Sequence, residues 1–242
     1  MHDDCLIYDS LYEEAKQKGW SGWGGDARIA TGPSQLQRIT EKSYVPQSGQ
    51  ALELGCGEGH FCRLLATHGY TVTGIDVSKV AIEWASEKRS IDDVITYVHG
   101  NLCQADVLKE EVFDLIVDGN CLHCIIEKDR TIFLQNVHRL LSDQGIFFVS
   151  SLCSKDGESS IIYRTDRAYR HVPCVTSLMH ELEEAQFQVL GLEVRERNEY
   201  NHISLFAKKR PAALQVEEAN ELEAGPSQTV GIPLISSGEK HD

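Results

Sequence analysis

No apolar run in these 242 residues is long enough to cross a bilayer, and no basic stripe runs along any part of them. The first lack excludes a membrane-spanning helix. The second, together with a formal net charge of −14, argues against a partner built on a phosphate backbone. Six acids and one lysine fall in 211–242, so −5 of that charge sits there and −9 on the rest. The N-terminus, Met-His-Asp-Asp, lacks the basic-then-apolar pattern of a secretion signal. Internal repeats are absent as well. Cysteine is present but unpatterned: of eight, only Cys121 and Cys124 make a Cys-x-x-Cys, and no second pair lies at zinc spacing. The expectation is reduced thiols, no metal site and a cytoplasmic protein. A small-molecule partner is expected, with no nucleic acid and no membrane. Nothing here sets the oligomeric state.

What is present suits one α/β domain with additions, since 41% of the residues are hydrophobic. The chain is organised around Ala51 to Gly59, Ala-Leu-Glu-Leu-Gly-Cys-Gly-Glu-Gly. A short apolar run carrying one acid leads into three glycines at alternate positions, then into Phe61, Leu64 and Leu65 at helical spacing. That is a strand, a tight turn and a helix start. Gly55 and Gly57 can take backbone angles closed to other residues and let a ligand approach the main chain. A second strand over 71–75 ends in Asp76, a carboxylate placed about 20 residues on to take both hydroxyls of a ribose. A third over 94–98 runs into Gly100-Asn101-Leu102, and a fourth over 113–117 into Asp118-Gly119-Asn120. The glycine spacing is Gly-x-Gly-x-Gly, not the Gly-x-Gly-x-x-Gly of dinucleotide-binding chains.

With these three motifs in order, the chain resembles the class I S-adenosylmethionine-dependent methyltransferases. The matching residues are 53–59, 74–78 and 113–118, and the resemblance covers about 48–208. It implies an α/β, Rossmann-like, doubly wound, mainly parallel seven-stranded sheet, with an antiparallel last strand and helices on both faces. It implies S-adenosylmethionine as cofactor, with Gly55, Cys56 and Gly57 lining its methionine part and Glu53 steadying that turn. Asp76 then takes the ribose and Val77 packs on the adenine. Asn101 and Leu102 stand where the family has Gly-Asp-(Ala or Ile). An amide at 101 can still accept from an exocyclic amine. Asp118, Gly119 and Asn120 form the face where donor and acceptor meet.

That face is not Asn-Pro-Pro-Tyr or Asp-Pro-Pro-Tyr, which disfavours enzymes that methylate nucleobase or glutamine amides. No Asp-Asn pair follows strand five, which disfavours the magnesium-dependent catechol type. His123 is the general-base candidate because it titrates near neutral pH; the alternative is a residue that only packs or caps. A catalytically silent binding module of the same fold, or a partner-binding protein, is the second reading of the whole chain.

Outside the motifs, 1–47 is expected to be a helical extension or cap, 48–210 the catalytic domain, and 211–242 an acidic disordered tail with a short helix near 214–222. Helices are expected over 5–18, 34–42, 60–68, 129–141 and 177–185, and one starting at the N-cap Ser78. The aromatic stretch 20–25 reads as a loop, in which Trp23 either borders the acceptor or packs the extension. Ser142 to Gly145 reads as a turn before the fifth strand, 146–152. Strands over 189–195 and 202–208 pair through a turn near Asn198. The connection up to Pro173 lacks clean periodicity but holds Tyr163, Arg164 and Arg167, read either as a cap over an anionic acceptor or as a solvated face pairing with nearby acids such as Asp166.

Overall fold

In the computed structural model, which describes residues 5–90, 94–164 and 167–211, seven strands form one sheet. The chain runs α1 (Cys5–Gln17), α2 (Gly25–Ile29), α3 (Gly32–Thr40), β1 (Gly49–Leu54), α4 (His60–Thr67), β2 (Tyr70–Asp76), α5 (Lys79–Glu87), β3 (Ile95–His99) and β4 (Phe113–Asp118). A 3₁₀ turn, Leu122–Cys124, follows. Then come α6 (Asp129–Leu140), β5 (Leu141–Cys153), β6 (Ser160–Arg164), β7 (Arg167–Val172), α7 (Val175–Glu184), β8 (Phe187–Arg195) and β9 (Asn201–Lys209). The strand order is β3-β2-β1-β4-β5-β9-β8, and β9 runs antiparallel to both of its neighbours. β1 pairs in parallel with β2 and β4, so the tips of these strands lie side by side.

Central parallel strands are covered on both faces, and alternate side chains enter different cores. Leu52, Leu54, Phe147 and Val149 join one apolar cluster with Phe133 and Leu178. Ala51, Phe148 and Phe206 join the other with Ile39, Phe61 and Leu65. A third, smaller cluster sets Tyr12 and Ala15 of α1 against Ala81 and Trp84 of α5. The described residues up to Lys209 form one compact unit.

Local signals hold where they were strong. Ser78 caps α5, its side chain accepting from the Ala81 amide. Gly69 follows α4 at φ 108°, as a glycine after a helix end does. The stretch expected to be a loop is one through Gly24 and opens into α2 at Gly25. Two expectations give way. The turn expected at Ser142 is part of β5, which starts straight after α6. The connection before Pro173 holds an antiparallel hairpin, β6–β7, packed on the 3₁₀ turn. The short helix expected near 214–222 lies outside the described residues.

Candidate active site

The site lies where β1, β2 and β4 end. Gly55 and Gly57 have φ of 66° and 56°. A Cβ on Gly55 would stand 2.8 Å from Cys121 Cβ, and one on Gly57 would stand 2.7 Å from the Tyr12 hydroxyl. Both positions thus require glycine for conformation and for space. Asp76 ties this turn to the tip of β2. Its Oδ2 accepts from the Gly57 amide at 2.9 Å and its Oδ1 from the Ser78 amide at 2.8 Å. Burial pushes the Asp76 carboxyl up to about 6, against the pull of those two amides. A ribose diol donating to the same carboxylate would relieve that desolvation.

A cavity of about 690 Å³ runs along these strand ends. Asp76, Val77, Asn101 and Leu102 line one end, Gly55, Gly119 and Asn120 the middle, and Tyr169 and Arg170 the far end. The Asn101 Oδ1 accepts from the Cys103 amide at 2.8 Å. Asn136 of α6 holds this loop from behind, its side chain donating to the carbonyls of Leu102 and Gln104, both at 2.9 Å.

Asp118 is fully buried and lines neither large cavity. It accepts from the amides of Cys121 at 2.6 Å, Leu122 at 3.0 Å and Ser150 at 3.3 Å, which shapes the turn after β4. Burial pushes it up to about 7. Glu53 is buried beside the glycine turn, accepts from the Cys62 thiol at 2.9 Å, and is pushed up to about 8 by the same desolvation. Asn120 has φ 66°, a strained value for a residue with a Cβ, in the turn that faces both cavities.

His123 is 3% exposed, and both ring nitrogens are engaged. Arg170 of β7 donates to Nε2, so the proton sits on Nδ1, 3.4 Å from the Ser151 hydroxyl. Burial, and then the Arg170 charge, hold this imidazole neutral well below its ordinary pKa. Arg170 in turn lies over the Tyr169 ring at 4.6 Å, and that ring stacks at 6.4 Å on Tyr8 of α1. The turn that carries His123 is braced by Arg130, which donates to the carbonyls of Leu122 and Ile125 and forks onto Glu181.

Of the residues expected to contact an acceptor, Trp23 lines the cavity and packs on Tyr12 at 4.9 Å, and Arg164 lines its far end. Tyr163 is 64% exposed and lines neither cavity. The side chain of Arg167 lies outside the described set. Cys56 and Gly57 border a second cavity of about 390 Å³, which meets the first at Gly55, Gly119 and Asn120. Sequence reasoning missed Tyr8, Tyr12, Arg28 and His202. Arg28 of α2 lines both cavities and donates to the Gly119 carbonyl at 3.3 Å. No local motif marks it, because its partner lies 91 residues away. Among the described residues, no group of three or more His, Cys, Asp or Glu side chains is arranged to hold a metal.

Residues 52–149 match the family described as a methyltransferase domain. An uncharacterized methyltransferase of Schizosaccharomyces pombe is 31% identical over 98 residues, 40% of this chain and 67% of that protein. The ubiquinone biosynthesis O-methyltransferase of Bartonella quintana is 30% identical over 131 residues, 50% of this chain and 52% of that protein. The crystal structure of Burkholderia thailandensis 1,6-didemethyltoxoflavin-N1-methyltransferase, with bound 1,6-didemethyltoxoflavin and S-adenosylhomocysteine, has the same fold. Its TM-score is 0.69 at 20% identity, covering 86% of this chain and 87% of that one. The chain belongs to the class I S-adenosylmethionine-dependent methyltransferases, a class of enzymes. It spans about half the length of the first of its curated relatives, 52% of the B. quintana protein.

Proposed function

We propose that this protein transfers a methyl group from S-adenosylmethionine to a small-molecule acceptor on oxygen, nitrogen or sulfur. The observation that carries this reading is the continuous cavity from Asp76 and Asn101, past the glycine turn, to the Tyr169–Arg170 wall. At about 690 Å³ it has room for an adenosine and a further small molecule. When bound, the cofactor supplies a methyl group already activated on a sulfonium. The chain's own task is to position two reactants in line and exclude water.

In this reading Val77 and Leu102 sandwich the adenine and the Asn101 amide addresses its edge. Asp76 takes the ribose, Gly55 and Gly57 admit the methionine backbone, and Arg28 takes its carboxylate. Glu53 and Asp118 act from behind, by fixing the two turns. Tyr8, Tyr12 and Trp23 close the site from the N-terminal side. Arg164 contacts the acceptor beneath the hairpin. His123 holds Arg170 against the cavity wall through its neutral ring, and it serves as a general base only for an acceptor that displaces Arg170 from Nε2. The net charge of −14 favours a small acceptor over nucleic acid. Scattered cysteines with no disulfide pattern in the sequence suit a reducing, cytoplasmic setting.

Two measurements test the proposal. Calorimetry with S-adenosylhomocysteine should show binding that falls at least about a hundredfold in Asp76→Ala, since two charge-assisted hydrogen bonds are lost. Release of S-adenosylhomocysteine should then be followed over small acids, phenols, amines and thiols, with bulk RNA as the contrast. Cofactor binding without turnover on any of them supports the silent binding module, and turnover on RNA alone overturns the small-molecule acceptor.

A further inference from the structure

The second cavity is not explained by the cofactor alone. It shares Tyr12, Trp23, Arg28, Gly55, Gly119 and Asn120 with the first cavity but none of Asp76, Val77, Asn101 and Leu102, and its volume is about 390 Å³. Arg28 of α2 and Arg38 of α3 line it from the N-terminal side, and Arg195 and Arg197 from the end of β8. Its inner wall carries Ser150 of β5 and His202 of β9. The His202 Nε2 lies 3.2 Å from Asn120 Oδ1 and 3.5 Å from Ser150 Oγ, so this wall reaches a residue that also lines the first cavity.

The charge balance of this cavity is unusual for so acidic a chain. Arg195 is paired with Glu193 and Arg63 with Glu58. Arg28, Arg38 and Arg197 have no carboxylate within ion-pair distance among the described residues. The two acids on the wall do not offset them. Glu58 is already shared between Arg63 and Lys88, and Glu53 is buried against the Cys62 thiol. The three guanidinium charges converge: after burial, the fields of Arg197, Arg38 and Arg28 are what hold the His202 ring below its ordinary pKa. Three uncompensated forks around a neutral donor wall form a receptor for a planar or tetrahedral oxyanion.

We propose that this second cavity binds the anionic group, a carboxylate or a phosphate, of the methyl acceptor, through Arg38 and Arg197. Arg28, which borders both cavities, is left to the donor's carboxylate. The proposal deepens the methyltransferase reading and rests on it. It moves the anion contact from the hairpin arginines, where the sequence alone suggested it, to the face between α3 and β9.

The test uses the full chain loaded with S-adenosylhomocysteine. Inorganic phosphate and acetate are titrated separately into it by calorimetry, and whichever binds identifies the anion class. Arg38→Gln and Arg197→Gln should each weaken that binding about tenfold or more while S-adenosylhomocysteine affinity stays within about twofold. The lysine variants, which keep charge but lose the fork, should fall between. Each variant is also titrated with 5′-methylthioadenosine, which lacks the amino-acid portion. If the Gln variants lose S-adenosylhomocysteine but keep 5′-methylthioadenosine, the cavity holds the donor's own carboxylate and the proposal is overturned. Absence of phosphate and acetate binding to the loaded wild-type protein overturns it as well. Failure of S-adenosylhomocysteine itself to bind is a separate outcome, which removes the methyltransferase reading on which the proposal stands.

Discussion

Glu53, Asp76 and Asp118 stand on three adjacent strands, and burial raises all three above the ordinary carboxylate range. A carboxyl whose folded pKa exceeds its unfolded value, about 4, binds its proton more tightly in the folded protein. Its stabilising contribution is therefore present at low pH and lost as pH rises through the folded value. Between pH 6.5 and 8.5 the two highest, Asp118 at about 7 and Glu53 at about 8, are the acids that titrate. His60, His123, His138, His171 and His202, all held below their ordinary pKa, stay neutral in the folded protein, but unfolded imidazole is about half protonated at pH 6.5, so they oppose the acids there and cease to do so above about pH 7.5. The midpoint of urea unfolding should fall from about pH 7.5 to about 8.5, and Glu53→Gln should flatten part of the slope. A profile unchanged by that substitution would remove Glu53 from the account. At this scale Asp76, Gly55 and Gly57 were legible from sequence, because turn and carboxylate are set by local spacing. Asn101 was legible only as a departure from Asp, and the structure gives its Oδ1 a local partner in the Cys103 amide.

Among the elements, α1 has the largest consequence for the site. Asp9 reaches across to the start of α5, where its Oδ1 accepts from the Ser78 hydroxyl at 2.6 Å and the Val80 amide at 3.2 Å. A carboxylate at a helix N-terminus is favoured by the unpaired amides and by the helix dipole. Lys16 adds a pair with Glu87 at 3.1 Å, and Tyr12 lies over Gly57. α1 is thus fastened to the helix that follows β2, the strand ending in Asp76, and its Tyr8 and Tyr12 line the cavity. Asp9→Ala should speed amide exchange in residues 5–17 and weaken S-adenosylhomocysteine several-fold while barely moving the global unfolding midpoint. Exchange as slow as in the wild type would show that apolar packing alone holds the helix. The amphipathic pattern of α1 was readable in advance; its docking partner was not. The β6–β7 hairpin was not readable at all, because all of β6 is at least partly exposed and so lacks the alternation that a one-sided core imposes. The polar start of β5 misled for a related reason: backbone pairing with β4 does not require apolar side chains at Ser142, Asp143 and Gln144.

At the scale of the whole molecule, two apolar clusters clamp the sheet from both faces, and polar groups gather at the strand tips. Binding there is linked to folding, since only the folded chain brings Asp76, Gly57 and Arg28 together. S-adenosylhomocysteine at about a hundred times its dissociation constant should add about 2.7 kcal/mol to the unfolding free energy. The check is a thermal or denaturant midpoint that climbs with ligand in the wild type and stays flat in Asp76→Ala. A wild-type midpoint indifferent to saturating ligand would contradict the assignment of the cavity.

The sequence by itself determined the strand–turn–helix grammar, the order of the motifs and the family, because each depends on residues near one another along the chain. Glycines at 55 and 57, an acid ending β2 and the short apolar run of β1 are local demands of backbone geometry and burial. Only the tertiary structure decided what stands opposite those motifs. Arg28 meets Gly119, Arg170 engages His123, and His202 faces Asn120, each across 47 residues or more. Sequence patterns record the period of a helix or strand, but a contact between distant side chains leaves no period, so the walls of both cavities became visible only once the sheet had brought their residues together.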